Sequence, residues 1–307
     1  MELLFILTGW VFARDGKKAT EFSTVWKALG VTFDFGKSDV GLLHVCNTEE
    51  RKKELTHQIL QALGKGYLDN QEALVLRGRL GFADSFVHGR LGKLVLKRST
   101  DHAYGHTKFL DDDLRDALKA MAKRLETVKP RVVSALEGEQ FYMYTDACYE
   151  TEEQTGGLGG VLVSGPGQVL QWFGLALNQQ VCERLGARDK GTIIYELELL
   201  AAVLATSIWC EDRDDDIFVH FGDNDGVRSS LVRASSTSPM GQKLMRIQLE
   251  LETNFCLQTW YARVPTEANI SDSPSRLQEH LLLLAECDVT PKATNFLGRI
   301  LETLNAV

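Results

Sequence analysis

The chain has 307 residues, 44% of them hydrophobic and 25% charged, an ordinary globular composition with room for two domains of common size. Its formal charge of −8 is split: residues 1–135 carry 22 Lys/Arg against 17 Asp/Glu, net +5, while residues 136–307 carry 12 against 25, net −13. Six scattered cysteines (Cys46, Cys148, Cys182, Cys210, Cys256, Cys287) form no CxxC pair and no zinc-ligand spacing, which argues against structural zinc and for reduced thiols in a non-secretory compartment.

The apolar start, Leu3 to Phe12, is too short to span a bilayer and carries Glu2 where a signal peptide wants positive charge. It is expected as a buried helix of an intracellular protein (cytoplasm or nucleus) with no membrane partner, and a chain beginning mid-core implies missing upstream sequence. Trp26 to Phe35 alternates as a strand does. Residues 49–64 read as an amphipathic helix with Leu55, Ile59, Leu60 and Leu63 on one stripe. The most basic window, 71–98, holds Arg77, Arg79, Arg90, Lys93, Lys97 and Arg98 against Glu72 and Asp84. Such a run fits a solvated surface as well as a polyanion contact. Asp111, Asp112 and Asp113 start a helix to about residue 127, acids being favoured at a helix N-terminus. Lys129-Pro130-Arg131 breaks the pattern, so 128–140 is a candidate linker between domains 1–135 and 136–307.

The second half alternates more regularly. Phe141 to Ala147 is a run of aromatic and β-prone residues, predicted as a buried strand ending at Asp146. Further strands are predicted at 157–164 and 168–175, joined by Gly165-Pro166-Gly167. A helix over 192–209 follows, then an acidic loop, a strand over 217–222 and helices over 225–233 and 240–253. A fifth strand covers 255–263, and a helical stretch 273–285. That order implies an α/β fold, a mixed five-stranded sheet with flanking helices.

Four acids stand at informative positions. Asp146 at the end of a core strand is costly to desolvate unless its charge is compensated, although taken alone it also fits a turn cap. Glu196 and Glu198 lie about 200° apart around one helix, so both cannot face one site. Glu198 shares its side with Ala201, Ala202 and Ala205, whose small size permits close approach to a sheet, while Glu196 is expected to face solvent or a polar partner. Asp223 ends a strand where Asn224 or Asp225 could equally cap the next helix, which leaves an acid for other work. Asp272 precedes Pro274 and would cap the following helix in the plainest reading. Converging carboxylates repel and raise one another's pKa unless cations sit among them. Hard divalent ions with oxygen ligands are the natural compensation: two Mg²⁺, with Mn²⁺ as the alternative.

With these residues in hand, Tyr144-Thr145-Asp146-Ala147, Glu198-Leu199-Leu200-Ala201-Ala202, Phe221-Gly222-Asp223-Asn224 and Asn269 to Arg276 resemble the ribonuclease H domain of retroelement reverse transcriptases. The resemblance covers about half the chain. It implies a ribonuclease H-like sheet, metal ligation and catalysis by Asp146, Glu198, Asp223 and Asp272, and hydrolysis of the RNA strand of RNA–DNA hybrids. Leu7-Thr8-Gly9-Trp10 with Ala28 to Phe33 looks like the end of a polymerase palm, and the basic window like a mostly helical thumb and connection. On this resemblance Arg77, Arg79, Arg90, Lys93, Lys97, Arg98 and Arg276 would contact nucleic acid, and a missing upstream polymerase region would be a partner.

There are departures. No aromatic-x-Asp-Asp motif precedes residue 30, so no polymerase activity is expected. The mobile histidine that many relatives carry before the last aspartate is missing from 221–271, His280 lies on the wrong side of the motif, and His102 and His106 read as surface residues. Two competing expectations remain: a decayed remnant that binds nucleic acid without cutting it, and, less well matched by the Asp272 context, an integrase-type strand transferase.

Overall fold

The computed structural model describes residues 23–87, 89–127, 129–134, 139–188, 191–211, 217–255, 257–278 and 285–306; the apolar stretch 3–12 and His280 lie outside them. The stretch expected as one strand from Trp26 to Phe35 is a hairpin, β1 (Val25–Ala28) and β2 (Val31–Asp34), with Ala28 opposite Val31. Leu29 and Gly30 between them have φ of 51° and 74°, the paired positive angles that reverse a twisted ribbon in two residues. Alternation alone cannot see such a turn, because both arms keep the same period.

β3 (Leu42–Asn47) pairs with β2, and four helices follow: α1 (Glu49–Lys65), α2 (Asn70–Asp84), α3 (Gly92–Ala103) and α4 (Asp112–Thr127). Their starts are chemically marked. Thr48 caps α1 through Arg51 N, Asp69 and Glu72 form a capping box on α2, and Asp111 Oδ1 accepts from Leu114 N at 2.7 Å. Leu55, Ile59, Leu80, Leu114, Leu118 and Met121 make the core among these helices. Leu60, placed on the α1 stripe by spacing, is 56% exposed. Within the expected linker, β4 (Arg131–Ser134) pairs with β3 and completes the sheet β1-β2-β3-β4. His102, expected at the surface, is buried, with Nε2 2.7 Å from Leu68 O.

The second half holds β5 (Gln140–Glu150), β6 (Thr155–Ser164), β7 (Val169–Leu177), α5 (Gln179–Arg184), α6 (Ile194–Trp209), β8 (Ile217–Gly222), α7 (Asp225–Arg233), α8 (Pro239–Asn254), β9 (Gln258–Arg263), α9 (Asp272–Ser275) and α10 (Thr290–Ala306). The sheet order is β7-β6-β5-β8-β9, antiparallel from β7 to β5 and parallel from β5 to β9. This is the expected mixed five-stranded sheet with flanking helices. Met143, Leu158, Leu162, Phe173 and Phe218 from the sheet pack with Leu197, Leu200 and Leu204 of α6 in one core. Ala201, Ala202 and Ala205 are buried there as well, as their small size suggested.

Two boundaries differ from expectation. β5 does not end at Asp146 but runs to Glu150, because β6 stays paired with it as far as Glu150↔Thr155. The helix expected over 273–285 is the four-residue α9, after which Leu277 takes φ of 60° and ends it. The two halves meet where Gly89 and Arg90 lie against α8: Arg90 pairs with Glu252 and Arg124 Nη1 donates to Thr253 Oγ1 at 3.3 Å.

Candidate active site

Strand lengths decide where the acids go. The parallel pairing of β5 with β8 ends at Tyr144↔Phe221, while β5 continues beside β6. Asp146 therefore stands just past the carboxyl end of the parallel pair, the place where open α/β sheets leave a crevice. Asp223 follows Gly222, the last residue of β8, and comes off the sheet at the same level. Asn224 takes the cap of α7, its Oδ1 accepting from Gly226 N at 2.9 Å and Val227 N at 3.2 Å. The cap is thus filled by the neighbour.

Glu198 enters from the second turn of α6, and Asn224 Nδ2 donates to its Oε1 at 3.1 Å. Glu196 goes elsewhere: it is buried, and Ser238 Oγ donates to its Oε1 at 2.6 Å. Asp146, Glu198 and Asp223 each bring one ligand oxygen to a place where all lie within 4.8 Å of one another.

The electrostatics of this group are unfavourable without a cation. Burial pushes the Asp146 carboxyl up to about 6, with the charges of Asp223 and Asp272 adding to the rise and the Ser275 hydroxyl opposing it. Burial pushes Glu198 up to about 8, reinforced by Asp223 and Asp146 and opposed by the amide of Asn224. Asp223 Oδ1 is buried with no hydrogen-bond partner among the described residues. A buried acceptor left unpaired is costly. An all-oxygen donor set with an orphaned oxygen fits a hard divalent cation, which would supply the missing partner and relieve the repulsion.

Asp272 lies outside the group of three. Its Oδ1 accepts from Arg276 Nε at 2.9 Å, one turn along the same segment. That segment lies directly on the sheet. A Cβ at Gly157 would collide with Ser275 O, one at Gly159 with Ser275 N and Ser271 O, and one at Gly174 with Pro274 O. Gly157 and Gly159 of β6 with Gly174 of β7 are therefore a seat for α9. Ser275 Oγ donates to Asp146 Oδ2 at 2.6 Å, and Cys148 Sγ lies 3.1 Å from Ser275 O. Asn269 Nδ2 donates to Thr145 O at 3.1 Å, and Thr145 Oγ1 lies 2.7 Å from His220 Nε2. His220 is buried and its pKa is pushed down to about 4 by that burial, so it is a neutral structural partner at pH 7. Ser275, Asn269 and the second role of Asn224, on Glu198, are what sequence reading did not find. The glycine spacing opposite Asp146 and Cys148 was the available signal for the first.

The basic residues are distributed differently. Arg77 Nε donates to Thr100 Oγ1 at 2.6 Å, Arg79 pairs with Glu54, and Arg98 Nη2 lies 2.8 Å from Asp113 Oδ2. Lys93 and Lys97 are exposed on α3. Arg90 is engaged inside the molecule, with Nε 2.9 Å from Glu252 Oε2, Nη2 2.5 Å from Glu252 Oε1, and Nη1 donating to Leu231 O and Val232 O. Arg276 alone among the seven is paired with one of the four acids.

Neither a family model nor a curated protein matches the chain. Solved structures do. RNase H1 of Halobacterium salinarum aligns at 20% identity and a TM-score of 0.37, covering 46% of this chain and 98% of that one. The N-terminal RNase H domain of a Mycobacterium tuberculosis protein aligns at 15% identity and a TM-score of 0.38, covering 47% and 96%. LC11-RNase H1, solved in complex with an RNA/DNA hybrid, aligns at 14% identity and a TM-score of 0.36, covering 47% and 99%.

Proposed function

We propose that the chain is a metal-dependent ribonuclease that hydrolyses the RNA strand of RNA–DNA hybrids, and that it is the C-terminal part of a retroelement reverse transcriptase. The observation that carries the nuclease reading is the gathering of Asp146, Glu198 and Asp223 within 4.8 Å, with one of their oxygens buried and unpartnered. The retroelement context rests on the motif resemblance alone.

In this reading Asp146, Glu198 and Asp223 hold divalent cations, Mg²⁺ or Mn²⁺, and Asp272 completes the ligand set. Bound there, such ions would supply an activated water and charge neutralisation at the leaving oxygen of a phosphodiester. The chain's own residues set the stage. Ser275 orients Asp146 and Asn224 orients Glu198, each through a neutral donor. Arg77, Arg79, Lys93, Lys97, Arg98 and Arg276 are candidate phosphate contacts, which would make binding fall steeply with salt. Arg90, with its guanidinium enclosed, is the weakest of the original seven for that role.

The test is cleavage of an end-labelled RNA–DNA hybrid in Mg²⁺ by wild type and Asp146→Asn. Loss of a ligand is expected to lower the rate by about 100-fold or more. Equal rates would end the nuclease reading. An inert wild type that nonetheless binds the hybrid would support the non-cutting remnant instead.

A further inference from the structure

We propose that Arg276 is a substrate-operated latch on Asp272, an inference that rests on the nuclease reading above. In the free protein the guanidinium holds this carboxylate apart from the three clustered acids. A phosphate of the bound nucleic acid takes the guanidinium and releases Asp272 to complete the cation site.

Three observations lead there. Asp272 is outside the group of three carboxylates, yet it is close by: the same Ser275 Oγ that donates to Asp146 Oδ2 at 2.6 Å lies 2.8 Å from Asp272 O. The backbone that carries it is pinned. Ser275 is tied to Asp146 and Cys148, and the seat formed by Gly157, Gly159 and Gly174 holds residues 271–275 at backbone contact. With that backbone pinned, the partner that Asp272 has is the Arg276 side chain, and the latch works by side-chain movement alone.

The third observation is the character of the pair. Arg276 contacts Asp272 through Nε, and its two Nη groups have no partner among the described residues. Both side chains are partly in water, at 51% and 39% exposure. Exposed pairs of this kind are weak, whereas a guanidinium meets a phosphate with two parallel hydrogen bonds. The contrast is with Arg90, held by both oxygens of Glu252 and two carbonyls and not available for exchange.

The latch is tested on the whole chain with Mn²⁺ by titration calorimetry, comparing wild type, Arg276→Ala, Asp272→Asn and the double variant. Arg276→Ala is expected to raise Mn²⁺ affinity by about two- to fivefold, the strength of an exposed ion pair. That gain is expected to vanish in the Asp272→Asn background, as coupling between the two requires. Reciprocally, Asp272→Asn frees the guanidinium and is expected to tighten metal-free binding of a fluorescent RNA–DNA hybrid by a similar factor, read by anisotropy. That second gain is also lost when Arg276 is Ala. No gain, or one that persists without Asp272 and so reports only the change in net charge, overturns the latch. Absence of Mn²⁺ uptake by every variant removes the cation reading and the latch with it. Uptake by wild type that Asp146→Asn abolishes keeps the cation reading whatever the latch does.

Discussion

Asp146 and Glu198 share a predicament at the scale of single residues. Their carboxyls are held at about 6 and about 8, against 3.8 and 4.5 for the free side chains, first by burial and then by their neighbours' charges. A folded-state pKa above the unfolded one means that the native state binds the proton more tightly. Stability linked to these groups is then fully present below about pH 4 and is lost as pH rises through about 6 and about 8. The metal-free protein is expected to melt at progressively lower temperature across that window. Mg²⁺ is expected to restore the loss, with its largest effect on Tm at the alkaline end. Melting curves in chelator and in Mg²⁺ between pH 5 and 9 (a window of about these pKa values) check this, and Asp146→Asn is expected to flatten the slope. An Mg²⁺ effect that is the same at every pH would contradict it.

At the scale of elements, the site depends on how closely α9 can approach the sheet. Gly159 is opposite Asp146 in the β5–β6 pairing, and a Cβ there would meet Ser275 N and Ser271 O. Backbone cannot rotate out of the way as a flexible side chain does. Gly159→Ala is expected to cost about 1–3 kcal/mol, as overpacking does. It is also expected to lift Asp272 and Ser275 away from Asp146, so cleavage is expected to fall by more than the lost folded fraction explains. Denaturant unfolding and hybrid cleavage on the same preparation separate the two effects. Retained activity at reduced stability would show that the seat only supports the fold. The end of β8 matters as much. The β5–β8 pairing stops at Tyr144↔Phe221, six residues before β5's pairing with β6 ends at Glu150↔Thr155, and this opens the gap that Asp146 faces.

At the scale of the whole molecule, a buried polar connection ties the helical half to the sheet half. Arg90 is bidentate on Glu252, whose Oε1 also accepts from Tyr261 OH at 2.9 Å, and Gln248 Nε2 reaches that hydroxyl at 3.2 Å. Asp84 and Arg124 form a second buried pair beside it, with Arg124 Nη2 donating to Gly89 O at 2.9 Å. Removing one member of such a pair leaves an uncompensated charge. Arg90→Ala is expected to destabilise the chain by about 3–5 kcal/mol, and the double change with Glu252→Gln by clearly less than the two single effects combined. Urea unfolding of the three variants measures the coupling; strict additivity would mean that the pair contributes nothing to holding the halves together. Among the described residues no helix is long and apolar enough to cross a membrane.

Much of this architecture could be read from the chain itself, and the reason differs from place to place. The strand Ile217–Gly222 and the helix Asp225–Arg233 were readable because turn chemistry and period both mark their ends. Glu198 could be preferred to Glu196 because helical geometry separates them by about 200°. The hairpin at Leu29-Gly30, the continuation of β5 past Asp146 and the shortness of α9 were not readable: strand period runs unbroken through a two-residue turn, β5 is prolonged by its pairing with β6, and α9 is cut short at the left-handed Leu277. The same holds for the partners. Arg90 is basic wherever it sits, but only the fold supplies Glu252 to enclose it, and only the fold puts Arg276 on Asp272. Local sequence determined which residues could ligate a cation. Long-range strand register and backbone packing decided which of them meet.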